Sequence, residues 1–176
     1  MPSTFIMKRI KSNISWKLLP LDRSNNTKLN EIKTSVLAGN TKIKSLFAGP
    51  SGTGKTLAAG ELGKSLNREV YKSNLRYIGE TEKNLQRLNA NRNHNNWILF
   101  FDEADALFGK RTKVKDAHDR YATVNSFIKN YEGLTILSVD NLNKIDTHNF
   151  DFVIQFKRQS FLQEKILQLK NYLSLK

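Results

Sequence analysis

At 176 residues the chain can build one domain with a real core but not two full domains, and without cysteine it has no disulfide framework, so a cytoplasmic home is the simple expectation. Its formal charge of +13 raises nucleic acid as a partner, yet the lysines and arginines are dispersed as on solvated faces, which leaves that reading the less favoured one. The longest strongly apolar run, residues 97–101, is far too short to cross a bilayer, and the first twenty residues lack the apolar block of a signal peptide, so no membrane association is expected.

Residues 1–15 read as a basic, flexible lead-in, and the apolar side chains of "WKLLPL" at 16–21 are expected to dock on the body. The run "SNN" at 24–26 marks a loop. Leu29, Ile32 and Val36 then recur at helical spacing, which predicts a helix over 27–37 that stops at Gly39. A buried strand at 44–48 leads into "GPSGTGKT", residues 49–56. Gly49, four residues, then Gly54-Lys55-Thr56 is the Walker A spacing. Gly49, Gly52 and Gly54 allow positive φ, so the backbone N–H groups of this segment can curl around one anion. A helix over 55–66 adds its positive end at the same point. The expected nucleotide contacts are therefore Gly49, Pro50, Ser51, Gly52, Thr53, Gly54, Lys55, Thr56 and Leu57. Lys55 reaches the β- and γ-phosphates, and the Thr56 hydroxyl ligates magnesium.

Further strands are predicted at 69–73, 97–101, 134–139 and 152–156, with helices at about 81–92, 116–131 and 160–173. Alternating strands and helices imply a three-layer α/β sandwich around a mainly parallel five-stranded sheet. In "WILFFDEADALFGKR", 97–111, five apolar residues end in Asp102-Glu103, at the strand edge where ligands of such sheets bind. Asp102 is placed to hold the magnesium, and Glu103 to polarise an attacking water as general base. Asp105 is equally eligible to cap the helix that follows. His94, His118 and His148 form no ligand cluster.

GPSGTGKT and FFDEADALFGKR (100–111) resemble the Walker A and Walker B segments of the AAA+ ATPases nearly letter for letter. "YIGETEKNLQRL", 77–88, is similar to that family's pore-loop region and the helix after it. "KVKDAHDRYA" and "YEGLTILSVDN" resemble the continuation, above all in bacterial members encoded with phage-tail-like contractile injection systems. The resemblance runs from about residue 44 to 156. It implies a P-loop core over 16–156 that binds ATP and Mg2+ and assembles into a homo-oligomeric ring. Hydrolysis would then drive remodelling of a protein partner, a contractile injection particle being one such complex. It also implies that Tyr77, Ile78 and Gly79 grip the substrate. From the pattern alone, Tyr77 and Ile78 are instead core residues before a helix capped by Thr81.

Three features depart from the family. A sensor asparagine follows the fourth strand in relatives; "ILSVDNL" offers Asp140 or Asn141, and Asn141 is favoured because a carboxylate would repel phosphate. Relatives carry arginines before the last strand that enter a neighbour's site, whereas here no arginine stands between Tyr131 and Phe156. Arg111, Arg120 or a partner's arginine would have to serve, with Arg158 a poor substitute. After Phe156 there is sequence for one helix, so residues 157–176 read as the remnant of a lid. These departures favour weak hydrolysis and keep two alternatives open: an ATP-binding switch, or a nucleic-acid motor or loader.

Overall fold

The computed structural model describes residues 7–11, 21–89, 96–108, 115–143 and 145–158. Its strands are short apolar runs because both faces of the sheet are covered, and the period of two divides each run between two cores. Phe47, Ile98, Phe100, Leu134 and Ile136 point to one face, where Leu29, Ile32, Ala58, Ala59 and Leu62 meet them. Leu46, Leu99, Phe101, Leu137 and Val139 point to the other, against Leu85, Leu88, Val124 and Ile128. The first set of covering side chains lies on helices α1 (Arg23–Leu37) and α2 (Lys55–Leu66), the second on α3 (Ile78–Asn89) and α5 (Lys115–Asn130).

In chain order the strands are β1 (Lys8–Ile10), β2 (Ile43–Ala48), β3 (Val70–Asn74), β4 (Ile98–Asp102), β5 (Leu134–Val139) and β6 (Phe152–Gln155); a short helix α4 (Asp105–Phe108) follows β4. They lie in the order β1-β3-β4-β5-β2-β6. All neighbours run parallel except β1, which pairs antiparallel with β3. The α/β sandwich expectation therefore holds, with six strands where five were expected. The sixth comes from the segment read as a flexible lead-in: Met7 is buried, and Arg9 bridges Glu69 at 2.7 Å. The proposed docking of residues 16–20 and the helix at 160–173 lie outside the described residues. Among the described residues, no helix is long and apolar enough to cross a membrane.

Two helix starts differ from the sequence expectation for local reasons. Asp22 caps α1 by accepting the Asn25 N–H at 2.7 Å, and the buried Asn25 side chain donates to Gln155 O at 2.7 Å, so "SNN" is helix rather than loop. Thr81 is not a cap but lies inside α3, its hydroxyl 2.9 Å from that of Ser73. The helix begins at Ile78, directly after a 3-10 turn over Leu75–Tyr77.

Helix α2 matches its predicted span and ends in a Schellman turn, with Asn67 left-handed and the Arg68 N–H donating to Gly63 O at 2.8 Å. Gly63 also allows α2 to approach β3: a Cβ there would stand 2.2 Å from Val70 Cγ2 and 2.9 Å from Arg68 O. Helix propensity favours alanine over glycine by about 1 kcal/mol, but overpacking against a stiff valine and a backbone oxygen costs about 1–3 kcal/mol. Gly63→Ala is expected to destabilise the fold by up to about 2 kcal/mol net in urea unfolding; a more stable variant would show that α2 can shift without cost.

Candidate functional site

Strand β2 lies between β5 and β6, and the chain leaves its C-terminal end through the loop 49–54 into α2. Gly49 is wedged at the exit. Its N–H donates to Val139 O at 3.0 Å, its φ is +152°, and a Cβ would stand 2.2 Å from Phe156 O. Gly52 and Gly54 meet no such crowding but have φ of +82° and +96°, which a side chain would strain. Gly54 caps α2 without a side-chain bond, so the first amides of this twelve-residue helix face the loop's concavity with the positive end of the helix behind them.

Lys55 opens α2 and is only 8% exposed. Its ammonium donates to Gly49 O and to Pro50 O, the latter at 3.3 Å, and stands 3.9 Å from Asp140 Oδ1. Burial pushes the Lys55 ammonium below the usual lysine range, against the opposing pull of Asp140, Asp102 and Asp105.

Parallel pairing sets Asn74 opposite Asp102, so Lys72, two residues earlier on β3, projects from the same face of the sheet as Asp102. Lys72 Nζ meets Asp102 Oδ2 at 2.5 Å. Burial pushes the Asp102 carboxyl up, but the hydrogen bond and charge of Lys72, joined by bonds from Ser138 and the Glu103 amide, outweigh it and hold the group below the usual carboxylate range. Glu103 has φ +54°, a left-handed conformation uncommon for a side-chain-bearing residue, and its Oε2 meets Arg76 Nε at 2.7 Å. The next amide, of Ala104, donates to Ser138 O at 2.8 Å and ties the turn to β5. Asp105 accepts the Asp140 N–H at 3.1 Å; burial raises its carboxyl above the usual range despite that bond.

These groups share one cavity of about 720 Å3. Ser51, Gly52, Thr53, Gly54, Lys55, Thr56 and Leu57 line one side, and Asp102, Glu103, Asp105, Ser138 and Asp140 the other, with Arg76, Ala106 and Tyr121. The arrangement can cradle an oxyanion on backbone amides and one ammonium. It offers a hydroxyl and a carboxylate to a hard divalent cation, and a second carboxylate to an acidic proton.

Some expected residues are not brought here. Asn141 is exposed, and its Oδ1 accepts the Asn143 N–H at 2.9 Å; Asp140 is the residue that lines the cavity. Tyr77 is 59% exposed rather than a core residue. It closes the 3-10 turn while Ile78 and Gly79 begin α3, so the three do not form a free loop. Arg111 lies outside the described residues, Arg120 falls within α5, and Arg158 is exposed beyond β6. Sequence reasoning missed Lys72, Arg76 and Ser138. The signal for Lys72 was a lysine two residues before the end of a strand beside the acidic one; Arg76 and Ser138 carried none without the sheet order.

Residues 45–164 match the ATPase family associated with various cellular activities (AAA). An uncharacterized AAA family ATPase of Sinorhizobium fredii is 31% identical over 143 residues, 73% of this chain and 43% of that protein. The vesicle-fusing ATPase of Arabidopsis thaliana is 32% identical over 111 residues, 53% of this chain and 15% of that protein. The chain thus spans less than half the length of these curated relatives. Among solved structures, the FIGL-1 AAA domain in complex with ADP superposes with a TM-score of 0.68 at 17% identity, covering 90% of this chain and 61% of that one. A structure reporting the self-assembly of katanin gives 0.68 at 18%, covering 87% and 56%. At these identities the two structures bear on the fold.

The Lys72–Asp102 pair has both side chains largely shielded, between the weak exposed pair and the fully buried one. Lys72→Met is expected to cost about 1–2 kcal/mol at neutral pH, and close to nothing in an Asp102→Asn background. Because the folded Asp102 titrates below its unfolded value, this contribution is full above the unfolded value and disappears as pH falls through the folded one. Urea unfolding of the four-member cycle against pH checks both statements; a cost of Lys72→Met that persists in acid would contradict them.

Proposed function

The chain belongs to the AAA family of ATPases, and from that premise we propose that it binds Mg-ATP over the 49–56 loop and hydrolyses it to remodel a protein complex. One observation carries the reading: the loop with Lys55 and Thr56, and the Asp102-Glu103 pair, converge on a single cavity from two separate stretches of chain. The loop amides and Lys55 take the triphosphate, with the Lys55 ammonium turning from the Gly49 and Pro50 carbonyls toward the β- and γ-phosphate oxygens. Thr56 and Asp102 present the hard oxygen donors that suit magnesium, which when bound supplies positive charge to those oxygens.

Glu103 accepts a proton from the attacking water as the water oxygen bonds to the γ-phosphorus. The bond to the bridging oxygen breaks, ADP leaves with its electron pair, and the proton passes on to solvent. For this, Glu103 must first part from Arg76, 2.7 Å away. That restraint also favours the second reading, an ATP-binding switch that turns over slowly. Asp140, 3.9 Å from Lys55 Nζ, orients the ammonium rather than donating to phosphate. A sensor role for Asn141 requires its turn to Asn143 to open.

Work on a partner needs an exposed contact and a second subunit. Tyr77, an exposed aromatic at the head of α3, is the contact we propose for a protein substrate, with Ile78 and Gly79 beside it. Assembly of copies into a ring, as the family resemblance implies, would couple turnover to movement of that segment; a contractile injection particle is one complex on which it could act.

Lys55→Ala is expected to weaken ATP binding by about 100-fold or more in calorimetry, because it removes a buried cation from the phosphate cradle. Glu103→Gln is expected to bind Mg-ATP within about threefold of the parent while turnover falls by about 10²–10⁴. Unchanged affinity in the first variant would overturn the site. Unchanged turnover in the second would remove Glu103 as the base.

A further inference from the structure

We propose that Arg76 is a catalytic residue acting within its own subunit, supplying the transferring phosphoryl group with the cation that the segment before β6 lacks. The inference rests on the ATPase reading above. Residues 132–155 contain no arginine, and among the described residues the lining of the cavity sets the cations Lys55 and Arg76 against the carboxylates of Asp102, Glu103, Asp105 and Asp140. Lys55 is already shared with Asp140, and the nearby Lys72 is held by Asp102. Among the described residues, Arg76 is therefore the guanidinium placed where charge develops during transfer.

The backbone that presents it is fixed. Strand β3 ends at Asn74, opposite Asp102. The Asn74 side chain accepts the Arg76 N–H at 2.8 Å, and Leu75 between them is fully buried. The side chain, by contrast, is 70% exposed and, among the described residues, is held by Glu103 at 2.7 Å. An ion pair that open to water is weak, so a multiply charged phosphate competes for the guanidinium with advantage. The planar fork suits two phosphoryl oxygens as it suits a carboxylate.

Exchange of partners then couples two events. When Arg76 passes from Glu103 to the γ-phosphoryl oxygens, the Glu103 carboxylate loses its donor and becomes free to accept the proton of the attacking water. Cation and base become available in the same movement, without a neighbour's residue.

The chain and its Arg76→Ala and Arg76→Lys variants test this by Mg-ATP affinity, turnover at a range of protein concentrations, and binding of ADP with aluminium fluoride. Arg76→Ala is expected to keep ATP affinity within about threefold while turnover and affinity for the fluoride complex both fall by about 10²–10³. Lysine in its place recovers part of the loss, since it restores charge but not the fork. Mixing Arg76→Ala with Lys55→Ala, whose arginine is intact, leaves turnover low. Equal or faster turnover by Arg76→Ala would overturn the proposal and leave Arg76 as a restraint on Glu103. Recovery on mixing would overturn it by showing action across a subunit boundary. Failure of the unmodified chain to bind ATP would instead defeat the ATPase reading, and this proposal with it.

Discussion

Parallel pairing of β2 between β5 and β6 constrains the rest of the site. The pairing places Ala48 beside Val139 and Gln155, so the chain must turn away at Gly49 in a space with no room for a Cβ. The Gly49 amide is bound to Val139 O, and the Phe156 amide to Ala48 O at 2.6 Å. The loop thus springs from a fixed point, and α2 starts at a fixed angle behind it. On the other side of β5, the same sheet edge delivers Asp102 and Glu103 from β4, with Ser138 holding Asp102 through its side chain and the Ala104 amide through its carbonyl. Alignment of strand ends, rather than any single contact, brings anion cradle and carboxylates to one cavity.

The electrostatics of that cavity follow from its composition. Four carboxylates close together in a half-buried space would repel one another, and each is held by a specific donor or cation. Lys72 holds Asp102, Arg76 holds Glu103, the Asp140 amide holds Asp105, and Lys55 stands near Asp140. The opposite displacements of the Asp102 and Asp105 carboxyls express this division: both are raised by burial, but only Asp102 has a lysine in contact to reverse it. A polyphosphate with its metal would replace several of these partnerships at once. On the proposed reading, binding would be an exchange of ion pairs in which Lys55, Asp102, Arg76 and Glu103 change partner.

Much of this was legible in the chain. The span of α2 and the positions of Lys55, Thr56, Asp102 and Glu103 follow from glycine spacing and from apolar runs that end in charge, signals local to a few residues. What escaped was non-local. β1 is three residues long, and its strand character comes from pairing with β3. The Lys72–Asp102 and Arg76–Glu103 pairs need the β3–β4 register to be seen, since their members are about thirty residues apart. Asn141 was favoured over Asp140 on chemical grounds, but a one-residue difference at a strand end decides which side chain faces the cavity, and the Asx turn at Asn141 directs it elsewhere. The short connection from β3 to α3 likewise replaces an expected loop by a turn, leaving Tyr77 exposed at its end.

The central claim is that the loop and the paired acids form a single Mg-ATP site in which bound ion pairs exchange. A crystal structure of the chain with magnesium and a non-hydrolysable ATP analogue tests it most directly. The account predicts β- and γ-phosphates seated on the 49–56 amides, Lys55 Nζ on phosphate oxygen instead of Gly49 O, and the metal between Thr56 and Asp102 with Lys72 displaced. A nucleotide bound elsewhere, or one bound here with Lys55 still on Gly49 O and Lys72 still on Asp102, would contradict it.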